Sequence, residues 1–348
     1  MSTMRRLMVA AAGMVAMAMG VQADTVWTGA INNNFSTAGN WTNGAPSGTQ
    51  IAWITNSGAN VTMTNASPAA MTHVYVTGTG TAPTLNISQD FKMSTTANRG
   101  LYVGGGNAAN QSGTVNHTAG TFTGQRIFIA ASTNALAITN RSGTYNFSGG
   151  AISMSATNQI SVGARSGETG YFNLSGIGTV AAEQLVLGLY NGNGNVKVEG
   201  GGLTLNFGQI NMAGSYLGNG STKIEAVFTG TGFSTLNVAT NVIFDFGSGS
   251  NGTEFQLSLG SGFVYSNNVT YTIIDAAGDF TGFGRFGNVT NNQVITVDGK
   301  QFTANYITDP GANDKFTLTT IPEPTTVGLF VISAAGLMVA RRMQMFKP

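Results

Sequence analysis

The sequence predicts an all-β fold: a right-handed parallel β-helix (solenoid) with a C-terminal antiparallel β module, flanked by a signal peptide and a C-terminal transmembrane tail. Three observations predict it. Short apolar-x-apolar segments followed by small residues recur about every 25 residues through the middle of the chain, which is the period of one solenoid coil. Charge is scarce while Gly is abundant, as in a chain of short strands joined at corners. The two ends are composed unlike everything between them.

Only 8% of the 348 residues are charged, against roughly a quarter in an ordinary soluble domain, and there are 49 Gly and no Cys. A formal net charge of +1 supplies no field for nucleic acid, whose binding rests on clustered Lys and Arg. Nucleic acid is therefore excluded as a partner. The 42% of hydrophobic residues, with much Val, Ile, Leu and Phe in alternation, suffices for a core.

Residues 1–23 read as a signal peptide. Arg5 and Arg6 precede an uncharged run from Leu7 to Val21, and Val21-Gln22-Ala23 offers the small residues that signal peptidase needs. Cleavage between Ala23 and Asp24 is expected. Without Cys, no disulfide staples the exported chain, so stability must come from stacking and backbone hydrogen bonds.

Residues 24–80 are expected to form an N-terminal cap and the first coils. Trp27, Trp41 and Trp53, all the tryptophans of the chain, lie there. An open solenoid end needs large side chains to cover it; the other reading of the three indoles is carbohydrate contact by ring stacking. The stretch "DTVWTGAINNNFSTAGNWTNGAPSGTQIAWI" is similar to the start of exported bacterial proteins with autotransporter-associated β-strand repeats, which implies that a β-helix follows.

Residues 81–224 carry the repeats. "LYVGG" from Leu101, "IFIAA" from Ile127, "ISVGA" from Ile160, "LVLGL" from Leu185 and "INMAG" from Ile210 follow one another at spacings of 26, 33, 25 and 25. A second stretch precedes each of the last four, with an earlier copy from Thr84, and the five pairs Leu85/Ile87, Val115/His117, Tyr145/Phe147, Phe172/Leu174 and Val196/Val198 sit two apart, hence on one face. Stacking one repeat per coil turns each set into an interior column. A β-sandwich is also built of short strands but gives no reason for like residues to recur every 25 or so. Between the inward pairs stand Asn86, Asn116, Asn146 and Asn173, then Lys197. Each Asn opens an Asn-x-Ser/Thr glycosylation motif, which alternation alone also generates; outward amides in register can instead form a hydrogen-bonded ladder.

Residues 225–320 lose the period and read as longer alternating strands joined by turns, an antiparallel module or a modified end of the helix.

Chemistry-bearing residues are few. Between 101 and 220 the only carboxylates are Glu168, Glu183 and Glu199. A glycosidase needs a facing carboxylate pair, and a calcium-dependent polysaccharide lyase needs clustered carboxylates. The two histidines, His73 and His117, are 44 apart, and His117 occupies an inward slot. "DPGANDK" could hold calcium through Asp309, Asn313 and Asp314, but such residues are ordinary turn formers. No catalytic residue, metal or cofactor is expected.

Residues 321–348, "IPEPTTVGLFVISAAGLMVARRMQMFKP", close the chain. From Thr326 to Ala340 the run is uncharged, about 15 residues or ~22 Å of helix, slightly short for a ~30 Å hydrocarbon core. Arg341, Arg342 and Lys347 can snorkel to lengthen it, and they place the C-terminus in the cytoplasm. Pro322, Glu323 and Pro324 form an extended entry. Pro-Glu-Pro, a short apolar helix and a basic end, in that order, resemble the PEP-CTERM sorting signal. The resemblance implies that an exosortase processes the tail and delivers the protein to the cell exterior, often beside exopolysaccharide. The function expected is that of a non-catalytic exported cell-surface or extracellular-matrix structural protein, membrane-anchored as a precursor and associated with exopolysaccharide or with itself. The alternatives are a carbohydrate-active enzyme, polysaccharide lyase or glycosidase, on the same fold, and a carbohydrate-binding adhesin.

Overall fold

A computed structural model describes residues 23–67, 70–95, 99–106, 108–131, 140–214, 221–246, 252–308 and 313–322. Its centre is a parallel β-solenoid of about seven turns. Each full coil contributes a strand to each of three parallel ladders. The first ladder stacks Asn60–Met63, Thr84–Ile87, Gln111–His117 and successors down to Thr253–Leu259. The second runs from Phe91–Lys92 to Thr270–Ala276, and the third from Thr25–Val26 to Phe280–Gly282. Strands Arg141–Val162 and Glu168–Leu187 each pass through all three ladders, bending where their register shifts.

The register is the one that the repeats predict. Leu85, Val115, Tyr145, Phe172 and Val196 are successive partners in the first ladder, as are Ile87, His117, Phe147, Leu174 and Val198. In the third, Leu101, Ile127, Ile160, Leu185 and Ile210 pair in turn. All of these side chains are buried, because parallel strands one coil apart place like residues ~4.8 Å apart along a column. The second ladder adds a further column, Phe91, Phe122, Ile152, Val180, Leu205, Leu236 and Ile274.

His117 is buried within its column. Its Nε2 lies 3.2 Å from the Gly120 carbonyl and its Nδ1 3.0 Å from the Tyr145 hydroxyl. A carbonyl only accepts, so Nε2 carries the proton and Nδ1 accepts from Tyr145. Burial holds the imidazole below its usual pKa.

The outward amides form the anticipated ladder. Asn116 Nδ2 donates to Asn86 Oδ1 at 2.9 Å, Asn146 to Asn116 at 2.9 Å and Asn173 to Asn146 at 2.8 Å. Asn86 extends it by donating to Asn60 Oδ1 at 2.6 Å. Beyond Asn173 the same column continues as Lys197, Glu225 and Gln256, so amide stacking gives way to charged and mixed polar pairs.

Glycines mark the corner where the third ladder hands the chain to the next coil. At Gly143 a Cβ would stand 2.3 Å from the Val103 carbonyl oxygen and 2.4 Å from the Ala130 nitrogen. No side chain fits there unless two coils separate. Gly143→Ala is expected to cost about 1–3 kcal/mol, the usual penalty of overpacking, read as a lowered midpoint in a thermal melt.

The C-terminal part combines both readings of it, a modified end of the helix and an antiparallel module. Parallel stacking does not stop near residue 225: Thr222–Phe228 pairs in parallel with Thr253–Leu259, and Val242–Phe246 with Phe280–Gly282. The coils there are longer, with Lys223 opposite Glu254, so the period near 25 is broken while the ladders continue. The antiparallel module is correspondingly smaller. Asp314–Thr320 pairs antiparallel with both Thr270–Ala276 and Lys300–Ile307, and the latter with Gln293–Val297. Thr270–Ala276 is the switch, parallel to Leu236–Val238 on one edge and antiparallel on the other. Phe316 and Phe286 pack against Phe255 there, closing the C-terminal end with aromatic rings.

Candidate functional site

The N-terminal end explains two of the three tryptophans. Trp27 and Trp41 are buried, edge-to-face with ring centres 5.1 Å apart, and Phe35 stacks edge-on against Trp41. Trp41 Nε1 donates to the Phe35 carbonyl at 2.7 Å. Buried Asn40 organises the loop over them, accepting from the Ile31 and Asn32 amides. These indoles close the first coil and present no surface to a sugar.

Trp53 points the other way. It stands on the outer face of the third ladder and starts a stack of parallel rings. Its ring centre is 4.0 Å from Tyr75, Tyr75 is 4.6 Å from Tyr102, and Tyr102 is 4.8 Å from Phe128, all within 17° of parallel. The cause is register, since these residues are successive ladder partners and the coil rise nearly equals an aromatic stacking distance. The stack ends because the next partner of Phe128 is Ser161.

A cleft of about 530 Å³ opens at that end, within the ~300–1,000 Å³ of ordinary small-ligand sites. Tyr102 and Phe128 form one wall, Ala164 and Leu189 another, and Arg126 and Gln159 a polar side. Ala164 and Leu189 lie just past the left-handed Gly163 and Gly188, which turn the chain outward at that corner. Burial raises the pKa of the Tyr75 and Tyr102 hydroxyls, so both stay protonated. The Arg126 guanidinium lies 5.8 Å from the Phe128 ring centre and that of Arg165 5.4 Å from the Tyr190 ring centre. Among the described residues no Asp or Glu lines the cleft. Cationic and neutral donors facing an aromatic wall can hold an anionic or polyhydroxylated ring; they supply no carboxylate pair.

The carboxylates between residues 101 and 220 are placed elsewhere. Glu168 is buried and paired with buried Arg141 at 3.0 Å, and its other oxygen accepts from the Arg165 amide at 2.8 Å. Burial pushes the Glu168 carboxyl up to about 7, with Arg141 opposing, and burial pulls the Arg141 guanidinium below its usual value. Glu199 pairs with Lys197 at 2.9 Å, and Glu183 is exposed. Among the described residues no three His, Cys, Asp or Glu side chains gather as a metal site. Asp314 spends a carboxylate oxygen on the Phe280 amide at 2.6 Å, and Asp309 lies outside the described residues.

Of the residues that the sequence singles out for processing, Ala23, Asp24 and Pro322 are described. The Ala23 carbonyl accepts from Gln50 Nε2 at 2.9 Å, and strand Thr25–Val26 starts directly after Asp24. At the other end the Ile321 amide donates to the Gln301 carbonyl at 2.9 Å and its carbonyl accepts from the Tyr265 hydroxyl, so the chain is held up to Pro322. Glu323, Pro324, Arg341, Arg342 and Lys347 lie outside the described residues. Among the described residues no helix is long and apolar enough to cross a membrane.

Sequence reasoning missed the cleft and the Arg141–Glu168 pair. Comparison with protein-family models, with curated proteins and with solved structures returns no match for the chain.

Proposed function

We propose that the protein is an exported, non-catalytic structural rod of the cell surface or extracellular matrix, its coils wound right-handed as parallel crossovers are. Signal peptidase removes residues 1–23, and an exosortase acts on the tail that begins at Pro322. The observation that carries this reading is the disposition of the carboxylates between residues 101 and 220: one is buried in an ion pair, one is paired at the surface and one stands alone, while Glu225 and Asp275 on the later coils pair with Lys223 and Lys315. Acid–base chemistry on a glycosidic bond needs two of them facing one space. Both solenoid ends are closed by aromatic clusters, which suits a free-standing rod, and the hydrogen bonds on Ile321 fix the chain just before Pro322. Exopolysaccharide, or further copies of the chain, are the partners of such a rod.

Mass spectrometry of extracellular material tests the processing. The secreted form is expected to begin at Asp24 and to lack Arg341. A chain retaining Met1 or Arg341 outside the cell contradicts the reading. Substituting Pro322 and Glu323 together is expected to leave the protein at the membrane with its tail attached.

One observation favours a second reading, a carbohydrate-binding adhesin: the cleft at the end of the ring stack, with aromatic and guanidinium groups on one open face.

A further inference from the structure

The outward column of the third ladder reads Trp53, Tyr75, Tyr102, Phe128 and then Ser161 and Val186. Four rings fill four coils, and past them the small side chain of Ser161 marks the cleft, at which the Phe128 ring keeps an exposed edge of 8%. Beside this gap stands Arg126, which makes no ion pair and no hydrogen bond among the described residues, and whose Nε is buried without an acceptor. A cation held this way, with an unsatisfied buried donor, lowers its free energy when an anion arrives. The remaining walls divide the space by polarity: Ala164 and Leu189 are apolar, while Gln159 and Ser161 offer amide and hydroxyl groups.

We infer that this cleft binds a uronate residue of an acidic polysaccharide, the apolar face of the sugar ring lying against Leu189, the exposed Tyr190 ring and the accessible edge of Phe128, and its carboxylate on Arg126. The assignment deepens the adhesin reading and rests on it. The planar guanidinium matches a carboxylate with two parallel hydrogen bonds. The C–H groups on a pyranose face carry the partial positive charge that an aromatic ring attracts. A neutral sugar would leave Arg126 without its anion, and a bare inorganic anion would leave the apolar wall unused. A polymer is indicated by what lies below the cleft. In register under Arg126 stand Gln159, Gln184 and Gln209, one per coil. They form an outward track of amides along the solenoid axis, at a rise of ~4.8 Å per coil, that a chain of sugars can follow away from the first bound residue.

The test uses the full chain purified in mild detergent, with affinity electrophoresis in gels containing polygalacturonate, dextran sulfate or neutral dextran. Polygalacturonate is expected to retard the protein most, and Arg126→Gln to weaken that binding about tenfold or more, the usual loss for a charged hydrogen bond. Arg126→Lys is expected to retain part of it. Among the described residues the Arg126 side chain makes no hydrogen bond and only a ring contact with Phe128, so Arg126→Gln should melt close to the wild-type temperature. Polygalacturonate binding that Arg126→Gln leaves intact would overturn the site while the adhesin reading survives. Retardation by dextran sulfate as strong as by polygalacturonate would mean that charge alone is recognised, and would overturn the uronate assignment. No retardation by any of the three would remove the adhesin reading together with the site.

Discussion

Leu174→Asp is expected to unfold its part of the solenoid locally while leaving distant coils intact. Leu174 is buried in the first ladder with Phe147 on one side and Val198 on the other, and no cation lines that column. A carboxylate there must either stay charged in an apolar interior or take up a proton at raised pKa. Either route costs about 4 kcal/mol or more, in the range reserved for buried unpaired charge. Because each coil touches only its neighbours, the lesion should open protease sites near residues 147–198 first. Asn173→Asp is the control. It removes the amide donor to Asn146 Oδ1 from a half-buried surface position, so its cost should be about 1 kcal/mol. Limited proteolysis separates the two, and greater damage from Asn173→Asp would contradict the facing of this strand.

Glu168→Ala should be nearly as damaging, for the converse reason. It leaves the Arg141 guanidinium buried without its counter-ion, with one remaining hydrogen bond from Nε to the Ala108 carbonyl. Breaking a buried pair from one side typically costs about 3–5 kcal/mol, whereas replacing both partners by apolar residues is often neutral. Arg141→Met with Glu168→Leu is therefore expected to recover most of the loss at pH 8. The pair also shapes pH dependence. Burial raises Glu168 from 4.5 to about 7, so the folded chain holds this proton more tightly than the unfolded one. Its contribution to stability is full below about 4.5 and is lost as pH rises through about 7. His117 has the opposite slope: its lowered pKa makes its contribution full above 6.5 and lost as pH falls through the folded value. Chemical denaturation across pH 4–8 should show a shallower decline toward neutrality in Glu168→Gln than in the wild type.

Much of this architecture is legible in the sequence, and the omissions have physical causes. The columns from Leu85 to Val198 and from Leu101 to Ile210 can be read because both their alternation and their period are kept. The second ladder is obscure because strands such as Phe91–Lys92 and Leu236–Val238 are too short to show alternation. Past Thr222 the coils lengthen and the inward residues change to Ile224 and Ala226, so the period fades while the stacking persists. The buried pair left a trace. Stepping back by twos from Tyr145 and Phe172 puts Arg141 and Glu168 inward, and the register puts them side by side. The cleft left one too, in the middle residue of each apolar-x-apolar segment: Trp53, Tyr75, Tyr102 and Phe128, then Ser161. Trp53 stands out as a tryptophan, but Tyr75, Tyr102 and Phe128 lie on the outward face, where the repeat sets no hydrophobic requirement. The Arg126 environment had no sequence trace, since its missing partner is a matter of three-dimensional arrangement.

Every assignment above depends on the coil register, and the absence of Cys makes it directly measurable. Asn116 and Asn146 are ladder partners on the outer face, ~4.8 Å apart by strand spacing and so within the ~4.4–6.8 Å that a disulfide spans. Asn116→Cys paired with Asn146→Cys should cross-link on mild oxidation, closing a loop visible as a mobility shift on a non-reducing gel. Asn116→Cys paired with Thr144→Cys, two residues out of register, should stay largely reduced. A cross-link that forms with Thr144 and not with Asn146 would contradict the register and, with it, the solenoid columns, the ring stack and the cleft.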